Sequence, residues 1–200
     1  MELKFISKRK LKLARKLSKL DEFVIDFVKH LKVKYVIVSG YVPILFGRSR
    51  VTEDIDMLIE KVDLATFKKI ITRLERNGFW AINTDDKREL YEMLRDNLAI
   101  RIAKKRKVIP NIEIKFVKSE DDRYCLDNPL TILVNDKRLF ISPMEIQIAY
   151  KFYLGSEKDI GDAIHLYTIF KENLNTKLLN LYLSKLKVSK LAKKMGVKSG

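Results

Sequence analysis

Near the start of the chain, Leu13, Leu17, Leu20, Val24, Phe27 and Leu31 recur at spacings of four and three. This spacing predicts one long amphipathic helix, with Lys10, Lys12, Arg15, Lys16 and Lys19 over its other side. Residues 1–34 are therefore expected to pack on the core as a helix with its basic face exposed. The pattern then changes period. Tyr35 to Val38 forms a short apolar strand that ends at Ser39-Gly40, a short helix follows over about 41–47, and residues 54–59 alternate as a strand. Leu64, Phe67, Ile70, Ile71 and Leu74 make a helical stripe that Asn77-Gly78 closes. A strand from Phe79 to Ile82, a helix over 86–96, and alternating strands at Leu98–Ile102 and Ile112–Phe116 come next.

Residues 119–129 are polar and read as a loop. Leu130–Val134 and Arg138–Ile141 flank Asn135-Asp136-Lys137, a hairpin signal. Ser142-Pro143-Met144-Glu145 predicts a helix start, with Ser142 as N-cap, Pro143 at the first position and Glu145 at the third. Helical spacing continues to the C-terminus, broken near Gly155 and at Asn173 to Asn175. The sum is an α/β (α+β) chain: a mixed sheet with flanking helices over 35–141, then a helical bundle over 142–200.

With 46% apolar and 34% charged residues, the 200-residue chain can bury a core, and no apolar run approaches the ~18 residues a membrane span needs. No apolar segment follows the basic N-terminus, so no signal peptide and no membrane partner are expected. A single cysteine, Cys125, excludes a disulfide framework and favours the cytoplasm. The net charge of +15 is unevenly placed. Residues 1–34 and 171–200 each carry a net +7, which leaves the middle nearly balanced. Two basic ends suit a polyanion, with nucleic acid first among the candidates. Leu191 to Val197 reads as a basic helix end rather than as part of a helix-turn-helix. No G-x-x-x-x-G-K-[ST] loop, dinucleotide fingerprint or zinc-type Cys/His spacing is present.

The candidate chemistry lies at Thr52-Glu53-Asp54-Ile55-Asp56. Residues two apart on a strand face the same way, so Asp54 and Asp56 point together while Ile55 and Met57 face a core. Adjacent carboxylates repel unless something positive lies between them. A divalent metal is the usual answer, and magnesium commonly brings substrate phosphates with it. Ser39 and Gly40 end the preceding strand, where small residues let backbone N–H groups approach a phosphate. Arg48 and Arg50, just before the acidic strand, could clamp a γ-phosphate or pair with Asp54. Neither His30 nor His165 is placed by a motif, so Ser39 is not read as a hydrolase nucleophile.

Ser39-Gly40, Arg50-Val51-Thr52 and Asp54-Ile55-Asp56, followed by Glu113 in Asn111-Ile112-Glu113-Ile114-Lys115-Phe116, resemble the nucleotidyltransferase fold superfamily. The likeness is to its minimal, toxin-like (abortive-infection type) branch, and it covers roughly residues 33–170. The turn reads Ser-Gly where the family carries Gly-Gly or Gly-Ser. The resemblance implies a nucleotidyltransferase-like mixed sheet and metal-dependent transfer of an NMP from an NTP. Asp54, Asp56 and Glu113 would be the catalytic carboxylates and ligands of Mg2+ (or Mn2+), with Glu113 also a general base. Ser39, Gly40, Arg48, Arg50, Thr52 and Lys151 would bind the nucleotide. Lys158 and Asp159, in the Lys-Asp-x-x-Asp stretch, would brace the junction or line the site. Glu120, Asp121 and Asp122 compete with Glu113 but fall in the expected loop.

Joined to the basic termini, the resemblance implies RNA, tRNA first, as acceptor, and a cognate antitoxin or partner protein is compatible with it. Two alternatives stay open: transfer onto a protein hydroxyl, and a non-catalytic nucleic-acid or partner-binding protein on a decayed transferase fold, which the Ser-Gly order supports.

Overall fold

Alternation decides the centre of the sheet. In β4 (Asp54–Ile59), Ile55, Met57 and Ile59 are buried while Asp54, Asp56 and Leu58 stay half-buried on the other face. β7 (Asn111–Phe116) repeats the pattern: Ile112, Ile114 and Phe116 are inside, with Glu113 and Lys115 on the half-exposed face. The two strands run parallel in a register that sets Asp54 beside Asn111 and Asp56 beside Glu113. The computed structural model describes residues 2–197.

Around this pair lie β1 (Glu2–Ser7), β2 (Lys10–Ala14), β3 (Tyr35–Ile37), β5 (Phe79–Ala81), β6 (Ile100–Lys104), β8 (Leu130–Val134) and β9 (Lys137–Ile141). Among the described residues they form one mixed sheet of order β1-β2-β8-β9-β3-β4-β7-β6-β5. The hairpin between β8 and β9 turns on Asn135 and Asp136, both at positive φ, as a tight two-residue loop requires. The helices are α1 (Lys19–His30), α2 (Tyr41–Leu45), α3 (Leu64–Arg76), α4 (Lys87–Arg95), α5 (Glu120–Asp127), α6 (Met144–Leu154), α7 (Glu157–Phe170), α8 (Thr176–Lys185) and α9 (Ser189–Lys194). α6 packs with α7 and α8, so a helical C-terminal region does follow the sheet. Gly155 ends α6 in the left-handed conformation, and Asn175 caps α8, at the two predicted breaks.

The N-terminal expectation is overturned. Residues 2–14 are an antiparallel hairpin, and only Lys19–His30 is helical. Leu11 and Leu13 also stand at strand spacing. With Leu3 and Phe5 as cross-strand partners they make an apolar face, and β2 pairs in parallel with β8. Tertiary pairing thus outweighs the helical spacing that Leu13 shares with Leu17 and Leu20. The sheet begins at β1, so the α/β unit is not confined to 35–141. The far end of the 142–200 region, Lys198 to Gly200, lies outside the described residues.

Two smaller corrections share one cause, which is side-chain capping. Glu120–Asp127 is a helix, not a loop, because Ser119 and Asp122 form a reciprocal capping box. Ser142 does not cap α6: its hydroxyl donates to Gln147 Oε1 at 2.9 Å, and Pro143 takes the cap position. No helix of the described residues is long and apolar enough to cross a membrane. Cys125 is buried, and burial pushes its thiol up to about 12, so it is inert.

Arg15 is not on an exposed basic face either. It pairs with the fully buried Asp21 at 3.1 Å, and its Nη1 donates to the Leu45 carbonyl at 2.7 Å. Asp21 also accepts from the Tyr41 hydroxyl at 2.8 Å and from the Ser18 backbone N–H at 2.8 Å. One carboxylate therefore ties the strand β2 exit, α1 and α2 together. Asp21→Ala leaves Arg15 and Tyr41 without their partner, and should lower the unfolding free energy by about 3 kcal/mol. Urea denaturation checks this, and a change within the noise of a surface substitution would remove Asp21 from that role.

Candidate active site

The site is built at the end of β3 and the beginning of β4. Ser39 stands at φ 60, a left-handed conformation unusual outside glycine, asparagine and aspartate. Gln147 of α6 holds it there from both sides: the Ser39 N–H donates to Gln147 Oε1 at 3.1 Å, and Gln147 Nε2 donates to the Ser39 carbonyl at 2.8 Å. Gly40 serves a different need, since its own φ is an ordinary −66. A Cβ there would stand 2.9 Å from Arg50 Nη2 and 3.4 Å from Thr52 Oγ1. The missing side chain makes room for the Arg50 guanidinium, which donates to the Gly40 carbonyl at 2.8 Å. α2 spans only five residues, so its N-terminus offers little dipole for a phosphate. Positive charge at this corner comes from arginine side chains instead.

Those arginines converge on Asp162 of α7, which is wholly buried. Arg50 Nη2 lies 3.2 Å from its Oδ2 and Arg48 Nε 3.5 Å from its Oδ1. Lys151 Nζ lies 3.1 Å from Asp162 and 2.6 Å from Asp159 Oδ1. Burial disfavours the Asp159 charge, but Lys151 and the Ser156 hydroxyl outweigh it and hold the carboxyl below its usual range. Gly161 sits mid-helix at a propensity cost of about 1 kcal/mol. The reason is contact: a Cβ there would come 2.5 Å from Arg48 Nη2. Three cations thus meet two carboxylates, and the excess positive charge lies toward Arg48, the most exposed of the five.

Next to this corner runs the acidic row. Thr52 Oγ1 lies 3.2 Å from Asp54 Oδ1 and 3.0 Å from the Asp54 carbonyl. Asp56 has its carboxyl raised above the ordinary value by burial first, then by the charges of Glu113 and Asp54, with the Ser39 hydroxyl pulling the other way. Glu113 differs. Lys115 Nζ sits 2.7 Å from its Oε1, and Arg101 Nε, its cross-strand partner on β6, 3.5 Å from its Oε2. Burial opposes the Glu113 charge, but these two cations prevail and hold its carboxyl low.

The structure therefore brings Ser39, Gly40, Arg48, Arg50, Thr52, Asp54, Asp56 and Glu113 into one neighbourhood. Two expectations from the sequence change. Lys151 is 1% exposed beneath Asp159 and Asp162, so it supports the arginine cluster from inside and does not present itself to a triphosphate. Lys158 is exposed and adds its charge to Asp159 from outside, and Asp159 accepts from Lys151 of α6 at 2.6 Å. Asp162, Gln147, Arg101 and Lys115 were not singled out from sequence. Asp162 alone had a signal, as the last member of Lys-Asp-x-x-Asp. His30 meets Asp26, and His165 lies against the Phe46 carbonyl, both as ordinary helix residues.

A hard divalent cation can be tested against these donors. Asp54 and Asp56 offer oxygen ligands from one strand face, and burial together with the charges of Glu113 and Asp54 raises the Asp56 carboxyl despite the Ser39 hydroxyl and Lys115. The aspartate pair fits such an ion. Glu113 in this arrangement does not, because Lys115 and Arg101 already neutralise it, and among the described residues no three acidic, histidine or cysteine side chains close around one point. A cleft of about 1020 Å³ is at the opposite end of β3, around Tyr35 and Glu60, and a second of about 710 Å³ adjoins Arg50 and Thr52.

The chain is similar in structure to an antigenic nucleotidyltransferase-like protein from Paracoccidioides brasiliensis, with TM-score 0.52 and 18% identity over 88% of this chain and 89% of that one. The fold is nucleotidyltransferase-like. JHP933 from Helicobacter pylori is similar at TM-score 0.50 and 18% identity, over 90% of this chain and 78% of that one. No family model matches the chain, and no curated protein does. Within the nucleotidyltransferase-like fold, the acidic row occupies adjacent parallel strands at the sheet centre.

A carboxyl whose folded pKa is raised costs stability once ionised. Stability falls as pH rises from the ordinary 3.8 through the raised value of Asp56, and the penalty is full above it. Asp56→Asn removes that charge. The variant should melt at a higher temperature than the parent at pH 7, with the difference vanishing below pH 3.8. Thermal melts across pH measure it, and equal melting temperatures at pH 7 would contradict the crowding of negative charge around Asp56.

Proposed function

We propose that this chain is a nucleotidyltransferase that moves an NMP from an NTP to an acceptor hydroxyl, with RNA as the acceptor. The supporting observation is the Asp54-Asp56 pair on one strand face, bordered by the Arg48-Arg50 corner, on a nucleotidyltransferase-like fold. An acceptor oxygen forms a bond to the α-phosphorus while the bond from that phosphorus to the bridging oxygen breaks, and pyrophosphate leaves with the electron pair. Asp54 and Asp56 would hold Mg2+ or Mn2+, which supplies charge neutralisation at the reacting phosphate when bound. Arg48 and Arg50 face the phosphate tail, kept in place by Asp162. Glu113 takes the hydroxyl proton once the phosphates draw Lys115 and Arg101 toward themselves. The lone buried Cys125 suits a cytoplasmic setting. A toxin-type role with a cognate partner protein enters through the family resemblance alone.

A second reading has one observation in its favour. Glu113 is already neutralised by two cations of its own chain, as in a site that no longer performs catalysis. Incubation with each α-labelled NTP, magnesium and total RNA separates the two. Label should move onto RNA, EDTA should abolish the transfer, and Asp54→Asn or Asp56→Asn should each lower kcat by on the order of 10³-fold. Arg50→Ala should act mainly on KM. No transfer from any NTP, or transfer that survives the aspartate variants, would leave the non-catalytic reading standing.

A further inference from the structure

The cleft of about 710 Å³ beside the acidic row has a composition that the nucleotide chemistry does not use. Its walls are the loop Arg50-Val51-Thr52, the start of α1 from Ser18 to Asp26, and the turn between β6 and β7 at Lys107, Ile109 and Pro110. Asn111, the first residue of β7, fixes that turn against the start of β4: its backbone N–H donates to the Glu53 carbonyl at 3.0 Å, and its side chain donates to the Val108 carbonyl at 3.3 Å. Thr52 lines the cleft and its hydroxyl lies 3.2 Å from Asp54 Oδ1, so the cleft borders the acidic row.

Its lining combines two properties that rarely coincide without a ligand. Val51 is 87% exposed and Ile109 49%, large apolar side chains facing water across the cleft. Around them stand Lys19, Lys104 and Lys107, with Glu22 and Asp26 as the acids of the lining, and Lys105 and Arg106 extend the positive charge along the turn beyond it. Lys104 is taken up by Asp26 and the Phe79 ring, and Asp26 is thereby neutralised within the cleft wall. Lys105, Arg106 and Lys107 are exposed, and none of them makes an ion pair among the described residues. Because the middle of the chain is nearly neutral on average, this cluster is hidden in the overall charge balance.

From this placement we infer that the cleft seats the acceptor as a single polynucleotide strand: Lys107 in the cleft and Lys105 and Arg106 on the turn beyond it follow its phosphates, and Val51 and Ile109 lie against unstacked bases beside Thr52. Cations along a groove with apolar surface between them are what an unpaired strand requires, whereas a duplex hides its base faces. The inference rests on the transferase activity proposed above and moves the acceptor site from the basic termini to this turn.

Anisotropy of a labelled single-stranded RNA of about twelve nucleotides, titrated at several salt concentrations, tests it without catalysis. The triple variant Lys105→Ala/Arg106→Ala/Lys107→Ala should lose at least about tenfold in affinity, and its log–log salt dependence should flatten by about 2, near 0.7 per phosphate contact. Lys190→Ala/Lys193→Ala/Lys194→Ala removes equal charge from α9 and should bind within about twofold of the parent. The paired Val51→Ser/Ile109→Ser variant should weaken binding with an unchanged salt slope. Equal losses in the two triple variants, parental binding by the turn variant, or preference for a duplex of the same sequence would each overturn the assignment. Titration with NTP and magnesium keeps the two proposals apart. The turn variant should bind nucleotide like the parent. Loss of nucleotide binding in every form, with strand binding retained, would instead count against the transferase.

Discussion

Asp162 is the carboxylate around which this molecule is arranged. It is wholly buried, and it faces Lys151 from α6 and both Arg48 and Arg50 from the loop that leads to β4. An isolated carboxylate at that depth would cost several kcal/mol, so the helical region and the sheet must approach closely enough to supply its partners. The requirement runs both ways. Arg50 can donate to the Gly40 carbonyl only because Asp162 holds it there and because residue 40 has no side chain. The turn, the loop and two helices are thus fixed by one charge.

The acidic row obeys a different balance. Asp56 lies beside Glu113 by strand register, and their repulsion is relieved mainly at Glu113, by Lys115 and Arg101, while the Ser39 hydroxyl and Lys115 offset only part of it at Asp56. Asp54 and Asp56 keep the residual negative charge. A cation from solvent and phosphates from a substrate are therefore complementary additions. The first relieves the aspartates, and the second competes for the cations that hold Glu113. Neither corner of the site is neutral alone: the arginine corner carries excess positive charge, and the aspartate pair excess negative charge.

How much of this was legible in sequence depended on the range of the interaction. The alternation of Asp54-Ile55-Asp56-Met57 and of Ile112-Glu113-Ile114 is local, and the strands follow it residue by residue. The N-terminal segment was misread because Leu11 and Leu13 suit a strand as well as Leu13, Leu17 and Leu20 suit a helix. Pairing with β8, more than a hundred residues away, decides between them. The α5 helix was missed because its signal is a capping box and not an apolar stripe. Of the partners of Glu113, Lys115 stands two residues on along the same strand face, but Arg101 could not be read, since it reaches Glu113 only through antiparallel registry. Lys151 was expected to bind the nucleotide through the family resemblance alone, and helical spacing gives its angle on α6 but not which element covers that face.

The same distinction accounts for the two kinds of positive charge in the chain. Arg15, Arg50 and Lys151 are spent inside, on Asp21, Asp162 and Asp159, so they add to the net charge without contributing a free surface. The unspent cations lie on turns and exposed helix faces, and among them the Lys105-Arg106-Lys107 turn is fastened by Asn111 to the strand that bears Asp54. A solubilising charge would work equally well anywhere on the surface. A charge cluster held at fixed distance from the acidic row by backbone hydrogen bonds cannot drift from it, and such positional control is what a reaction on a long, flexible polyanion demands.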